Sequence, residues 1–189
     1  LMHEAGFDFA FVGVESGSEE QLRRYRKPGR LNGLVKAVRA AKKAHMIVVA
    51  SFITAAPGET LEDHEASKRF VRKSRPHICE TGPLIVNPGS PLWDEMVGAD
   101  EPHTVEESVS RPIYTFPDQP DKETIDARIQ DFRKSFSQSW LDPRRIVDVV
   151  DLLLHSPSVR YIFKAFVKEP ILLHQLVKRG DAPIEIVVK

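Results

Sequence analysis

The chain predicts an α/β fold of repeated strand–turn–helix units, on three observations. Apolar, β-rich runs at Phe7–Val14, Ile47–Thr54 and Thr81–Val86 each stop abruptly on small or polar residues. Each stop is followed by a helix start signal. The strand ends, at Val14, Thr54 and Asn87, recur every 30 to 40 residues or so, roughly the length of a βα unit that returns the chain to a parallel strand. Three such units make half of a (β/α) barrel or part of an open parallel sheet, and in both cases chemistry gathers at the carboxyl ends of the strands.

The elements follow in order. Leu1 to Gly6 reads as the last turn of a helix with Gly6 as its left-handed cap, so the chain is expected to be a piece of something longer. The first strand ends on Glu15-Ser16-Gly17-Ser18, and Ser18 with Gln21 fits a capping box in which Gln21 reaches back to the cap. Lys27-Pro28-Gly29 interrupts that short helix. Leu31, Leu34, Val35, Val38 and Ala41 then make one apolar helix face. The second strand, IVVASFIT, is continuously apolar, as for a strand covered on both faces. It ends at Ala55-Ala56-Pro57-Gly58-Glu59-Thr60, where Thr60 caps a helix from Leu61 to about Ser74. The third strand is interrupted by Gly82 and Pro83 and ends at Asn87-Pro88-Gly89-Ser90-Pro91, a helix start that turns Leu92, Trp93 and Met96 inward.

After these units the character changes. The domain reading is residues 1–97 as the strand–helix part, 98–120 as a proline-rich linker and 121–189 as a helical extension. Its helices are expected at Lys122–Ser137, Pro143–Leu154, Pro157–Val167 and Ile171–Lys178.

Composition narrows the function classes. Of 189 residues, 41% are hydrophobic and 29% charged, as in a globular domain. Lys and Arg number 27 and so do Asp and Glu, so no basic excess calls for nucleic acid or an anionic membrane. No apolar run approaches the ~20 residues of a membrane span, and no signal peptide opens the sequence. The single cysteine, Cys79, excludes an internal disulfide and any site built from several cysteines of this chain. A cytoplasmic location is the expectation.

Among the candidate residues, Glu15 stands out as a carboxylate at the end of a buried strand. It can accept hydrogen bonds from an ammonium or a ribose hydroxyl, and the helix start beside it can bind an anionic group. The alternative is that Glu15 pairs with a basic residue and Ser18 only caps. Gly13 to Gly17 is no nucleophile elbow, because its central residue is Glu15 and its serine comes one place late. His77 and Cys79 form an isolated pair, short of the three or four ligands a metal needs, and His45, His64 and His155 are scattered. Asn87 can bind a ligand or tie down its own turn, and Phe52 and Trp93 read as core.

Taken together, AGFDFAFVGVESGSEEQL, a lysine, AAKKAHMIVVASFITAAPGET and PLIVNPGSPLWDEM resemble the second half of the barrel of radical S-adenosylmethionine enzymes, over about Leu1 to Met96. The subgroup resembled carries an upstream cobalamin-binding domain and includes the anaerobic magnesium-protoporphyrin monomethyl ester oxidative cyclases. The resemblance implies a partial (β/α) barrel and an oxidoreductase that uses S-adenosylmethionine with a four-iron four-sulfur cluster on a C-x-x-x-C-x-x-C motif upstream of Leu1. It implies that Glu15 and Ser16 touch the methionine or ribose part of the cofactor, that Ile53, Thr54 and Ala55 back the adenine, and that Val86 and Asn87 line the rim. The substrate is then a small molecule, a porphyrin in the cyclases. In this family Gly usually stands where the chain has Ala55 and His45. Lacking the cysteine motif, the chain by itself is expected to hold no cluster, to be inactive, and to be able to dimerise through open barrel edges. Two other classes remain open on the residues alone: an anion- or nucleotide-binding α/β domain without radical chemistry, and a non-catalytic interaction module.

Overall fold

In the computed structural model, described here for residues 2–27, 30–85 and 120–168, three parallel strands form one sheet in the order β1-β2-β3. The strands are β1 (Phe9–Glu15), β2 (Ile47–Ile53) and β3 (Ile78–Gly82). Between them lie α1 (Glu19–Arg24), α2 (Leu31–Lys43) and α3 (Leu61–Ser74). Three more helices follow, α4 (Lys122–Ser139), α5 (Arg144–His155) and α6 (Pro157–Lys168). This is a small parallel sheet with helices, the arrangement of a partial (β/α) fold. The helix after Ser90, Trp93, and the segment Ile171–Lys178 lie outside the described residues.

The local signals act as their chemistry requires. Gly6 takes φ 88, and its amide donates to His3 O at 3.0 Å, closing the opening turn. Thr60 and Asp63 form a reciprocal capping box at the start of α3, and Asp121 caps α4 by accepting the Thr124 amide at 2.7 Å. Ser18 accepts the Gln21 amide, but Gln21 does not reach back to its cap. Its side-chain amide instead donates to Gly58 O at 3.0 Å, because α3 and its preceding turn sit close enough to offer a buried acceptor.

The third strand lies earlier than expected. It spans Ile78–Gly82 rather than Thr81–Val86 and pairs in register Val49↔Ile78 through Ile53↔Gly82. The apolar run that marked residues 81–86 is broken by Pro83, which has no amide to give a ladder. The strand that forms carries Cys79, Glu80 and Thr81 and has little hydrophobic pattern of its own.

Alternation along the strands gives the sheet two different faces. Val14, Val48, Ala50 and Phe52 turn toward the helices and join Val35, Val38, Phe70, Val71 and Phe132 in the main core. Phe132 comes from α4, so that helix packs into the same core as the sheet. On the other face, Phe9 and Phe11 of β1 and Ile78 of β3 are exposed, Phe11 at 64%. The register sets Phe11, Val49 and Ile78 in one row. An apolar sheet face that no described helix covers is consistent with the inner face of a partial (β/α) barrel.

The α5 helix is anchored at the amino ends of the strands. The buried Arg145 guanidinium donates to Pro76 O at 2.7 Å and to Ser139 Oγ at 2.9 Å, and lies over the Trp140 ring at 4.8 Å. Asp148 accepts from Lys42 Nζ at 2.6 Å and Arg75 Nε at 3.2 Å. A cleft of about 460 Å³ opens there, lined by Arg39, Lys42, Arg75 and Asp148 among others. It lies at the end of the sheet opposite the carboxyl rim.

Candidate functional site at the carboxyl ends of the strands

Glu15 ends β1 with a break in register. Pairing runs Gly13↔Ser51 and then Glu15↔Phe52, so Val14 is the extra residue and drops into the core. Glu15 consequently takes φ 63, a left-handed conformation that costs a side-chain-bearing residue about 1 kcal/mol. Lys27 Nζ donates to Glu15 Oε1 at 3.0 Å and also to Gly13 O. Gly13 makes this possible, since a Cβ there would stand 2.4 Å from Glu15 Oε1. The pairing with a basic residue, the plainer of the two readings for Glu15, is thus present. Both side chains are still about a quarter exposed, 27% for Glu15 and 26% for Lys27, so the carboxylate keeps lone pairs open to a ligand.

The rest of this turn is packed. Ser16 is fully buried and its Oγ accepts the Ser18 amide at 3.1 Å. Gly17 lies against α3: its amide donates to Ser67 Oγ at 2.8 Å, and a Cβ would come within 2.4 Å of Ala66 O and of Ser67 Cα. Only glycine allows this approach.

The end of β2 lies beside it. Ile53 pairs with Gly82, and the Thr54 amide donates to Gly82 O at 2.8 Å. Thr54 Oγ1 and Thr81 Oγ1 share a hydrogen bond of 2.5 Å. Ala55 is buried at φ 58, the conformation glycine prefers, and packs with Ile125 and Ile129 of α4. Its amide donates to Glu59 Oε2 at 2.6 Å. The second turn is tied to α1, because Gly58 O accepts from both Gln21 Nε2 and Arg24 Nη1, the latter at 2.8 Å. The two turns, remote in sequence, therefore form one rim. Val86 and Asn87 lie outside the described residues.

Three further residues, Glu59 of the second turn, Tyr25 and Arg128, belong to this rim. Glu59 is buried and receives Arg128 Nη1 at 3.3 Å on its carboxylate and at 2.9 Å on its carbonyl. Burial pushes its carboxyl up to about 7, against the Ala55 amide and the Arg128 cation, which favour the ionised form. The Tyr25 hydroxyl is buried without a hydrogen-bond partner among the described residues. Burial, then the negative charges of Glu59 and Glu15, hold that phenol above its ordinary range. Glu59 was visible only as part of a turn, and Arg128 approaches from 69 residues away on a helix that shows no chemistry in the sequence.

The rim fits part of what the resemblance implies. An accessible carboxylate and an orphaned hydroxyl at the end of a parallel sheet suit a ligand with ammonium and hydroxyl groups. Nothing described here suits an iron–sulfur cluster. Cys79 is the sole cysteine, it lies on the helix-covered side of β3 against the core, and burial pushes its thiol up to about 12.

Comparison with known proteins bears on this geometry. Residues 1–71 match the Radical SAM superfamily. The matched stretch contains both turns of the rim, α1 and most of α3, but not α4, which braces Ala55 and Glu59. A protein of Pyrococcus horikoshii described as uncharacterized methyltransferase PH0819 is 31% identical over 93 residues, 49% of this chain. Those residues are 20% of that relative's length, so the chain spans about a fifth of the curated relative it matches. Members of that superfamily use S-adenosylmethionine with a four-iron four-sulfur cluster. Among the described residues, no helix is long and apolar enough to cross a membrane.

Proposed function

We propose that this chain forms the later strands of a radical S-adenosylmethionine enzyme and supplies one wall of the cofactor pocket. The observation that supports it is the shared carboxyl rim of β1 and β2, where Glu15 and Ala55 both take left-handed conformations within the stretch matched by the superfamily. In this reading Glu15 holds the amino or ribose group of the cofactor by hydrogen bonding. Ile53, Thr54 and Ala55, at the end of β2, back the adenine. Buried Ser16 acts by shaping the turn, through the hydrogen bond it accepts from Ser18. The bound cofactor, reduced by one electron from the cluster, would supply the radical chemistry that takes a hydrogen atom from the substrate, and the chain's part is to position and shield it.

Two reactions compete for the whole protein. Methyl transfer is favoured by the likeness to the Pyrococcus horikoshii protein, which is described as a methyltransferase. Oxidative cyclisation of a porphyrin side chain, with cobalamin in an upstream domain, is the alternative carried by the three-turn resemblance. A lone cysteine is at home in the reducing cytoplasm.

In the full-length protein, Glu15→Gln is expected to weaken S-adenosylmethionine binding about tenfold or more, as for loss of a hydrogen bond to a charged group. Calorimetry on the anaerobically reconstituted enzyme measures it. Unchanged affinity together with unchanged turnover would overturn the reading in favour of a non-catalytic module.

A further inference from the structure

At the opposite end of the sheet, three donors that are scattered in the sequence meet. His45 follows α2, while Asp151 and His155 stand four residues apart on α5. Their ligand atoms all lie within 4.8 Å of one another. His45 Nδ1 is 2.9 Å from Asp151 Oδ2, and His155 Nδ1 is 3.2 Å from Asp151 Oδ1. Tetrahedral zinc with bonds near 2.0–2.1 Å needs donor atoms about 3.3 Å apart, so the His155 pair has nearly that spacing and the His45 pair opens from its hydrogen-bond distance to reach it. The two imidazoles are stacked, with centroids 4.0 Å apart, so both rings turn out of the stack to face one ion. All three side chains are partly exposed, which leaves a path for an ion.

Two further features single out this cluster. The first is the backbone at His45, which takes φ 59 as it ends the helix, although glycine fills that conformation without strain. The chain bears that strain with an imidazole directed at α5. The second is the spacing of Asp151 and His155, which places two donors on one helix face one turn apart, a chelating geometry. His3 adds a third imidazole edge-on to His45, at a centroid distance of 6.0 Å.

We propose that His45, Asp151 and His155 bind a divalent transition-metal ion of the zinc class, with water completing the coordination. The imidazole and carboxylate donors suit zinc, cobalt or nickel over calcium or magnesium. The ion replaces the protons now shared between the carboxylate and the two Nδ1 atoms, so binding releases protons and strengthens as pH rises. His155 Nδ1 also lies 2.9 Å from the backbone carbonyl of Asp151, and it leaves that contact to take the ion. Its effect is structural, since it clasps α5 to the end of α2 at the rim remote from the proposed cofactor wall. It is therefore independent of the radical-enzyme reading.

The test uses the untagged 189-residue chain, with zinc chloride for calorimetry and melting and cobalt chloride for spectroscopy. One ion per chain is expected, with a rise in melting temperature of about 5 °C at roughly a hundredfold excess over the dissociation constant. Cobalt is expected to give a visible band of nitrogen and oxygen ligation without the near-ultraviolet band of a thiolate, which separates this site from Cys79. His155→Ala is expected to weaken binding at least about tenfold, no less than losing a supporting hydrogen bond does. His45→Gly is the decisive variant, because glycine relieves the left-handed strain and the fold survives while the metal-dependent rise disappears. A rise of equal size in a His45→Gly/His155→Ala double variant, or no rise in the unaltered chain, would overturn the proposal.

Discussion

His77 is expected to make this fold acid-sensitive, and Glu59 to oppose it. His77 is only 8% exposed, between α3 and β3. The Val48 amide donates to its Nδ1 at 2.9 Å, and its own amide donates to Val48 O at the same distance. Protonating Nδ1 would turn that acceptor into a donor facing another donor. Burial, and after it the Lys42 cation, push the imidazole down to about 4 from an ordinary 6.5. Because the folded value lies below the unfolded one, the unfolded chain binds the extra proton between them. Stability from His77 is thus complete above about 6.5 and is lost as pH falls toward about 4. The gap is worth about 3 kcal/mol when fully expressed, and about 2 kcal/mol of it is lost between pH 7 and pH 5. Glu59 has the opposite sign. Its folded value near 7 lies above the ordinary 4.5, so the folded state holds the extra proton and gains about 2 kcal/mol over the same acidification. Urea unfolding at pH 7 and pH 5 measures both. Relative to the unaltered chain, His77→Asn, which keeps an acceptor for Val48, should gain about 2 kcal/mol on going to pH 5, and Glu59→Gln should lose about as much. If His77→Asn and the unaltered chain change equally, within about 0.5 kcal/mol, the account of His77 as a neutral buried acceptor is wrong.

Two further outcomes follow from the packing. Gly17→Ala should cost about 3 kcal/mol in denaturant unfolding, because its Cβ would meet the α3 backbone at 2.4 Å and no flexible side chain can yield; a cost under about 1 kcal/mol would show that α3 shifts freely. The row Phe11, Val49, Ile78 and the outer edges of β1 and β3 should make the isolated chain self-associate, which size-exclusion chromatography over a range of concentrations tests, with Phe11→Lys restoring the monomer. A monomer at every concentration would remove the argument for dimerisation.

Much of the fold was legible because its signals are local. Caps at Ser18, Thr60 and Asp121, the apolar run of β2 and the helical periodicity of α2 each act within a few residues, and α4 and α5 begin and end within two residues of expectation. The third strand was misplaced because its residues are strand-like only once β2 offers them a ladder at Val49 to Ile53. Of the candidate site, Glu15 and Ala55 could be marked by their positions after strands, whereas Lys27, Tyr25, Glu59 and Arg128 could not be joined to them. Their partners are set by how α1, α3 and α4 dock.

By itself, the sequence determined the order of units, the polarity of the rim and the three turns that carry the family likeness, since turn chemistry and strand hydrophobicity are properties of short segments. It also excluded a cluster held by this chain, because one cysteine cannot supply three ligands. Only the tertiary structure decided that Glu15 is paired with Lys27 and that Ser16 is sealed beneath its turn. It alone brought His45 within 2.9 Å of Asp151 across 106 residues. Those contacts depend on the relative placement of packed helices, which arises from burial of the whole core and is written in no single stretch of the chain.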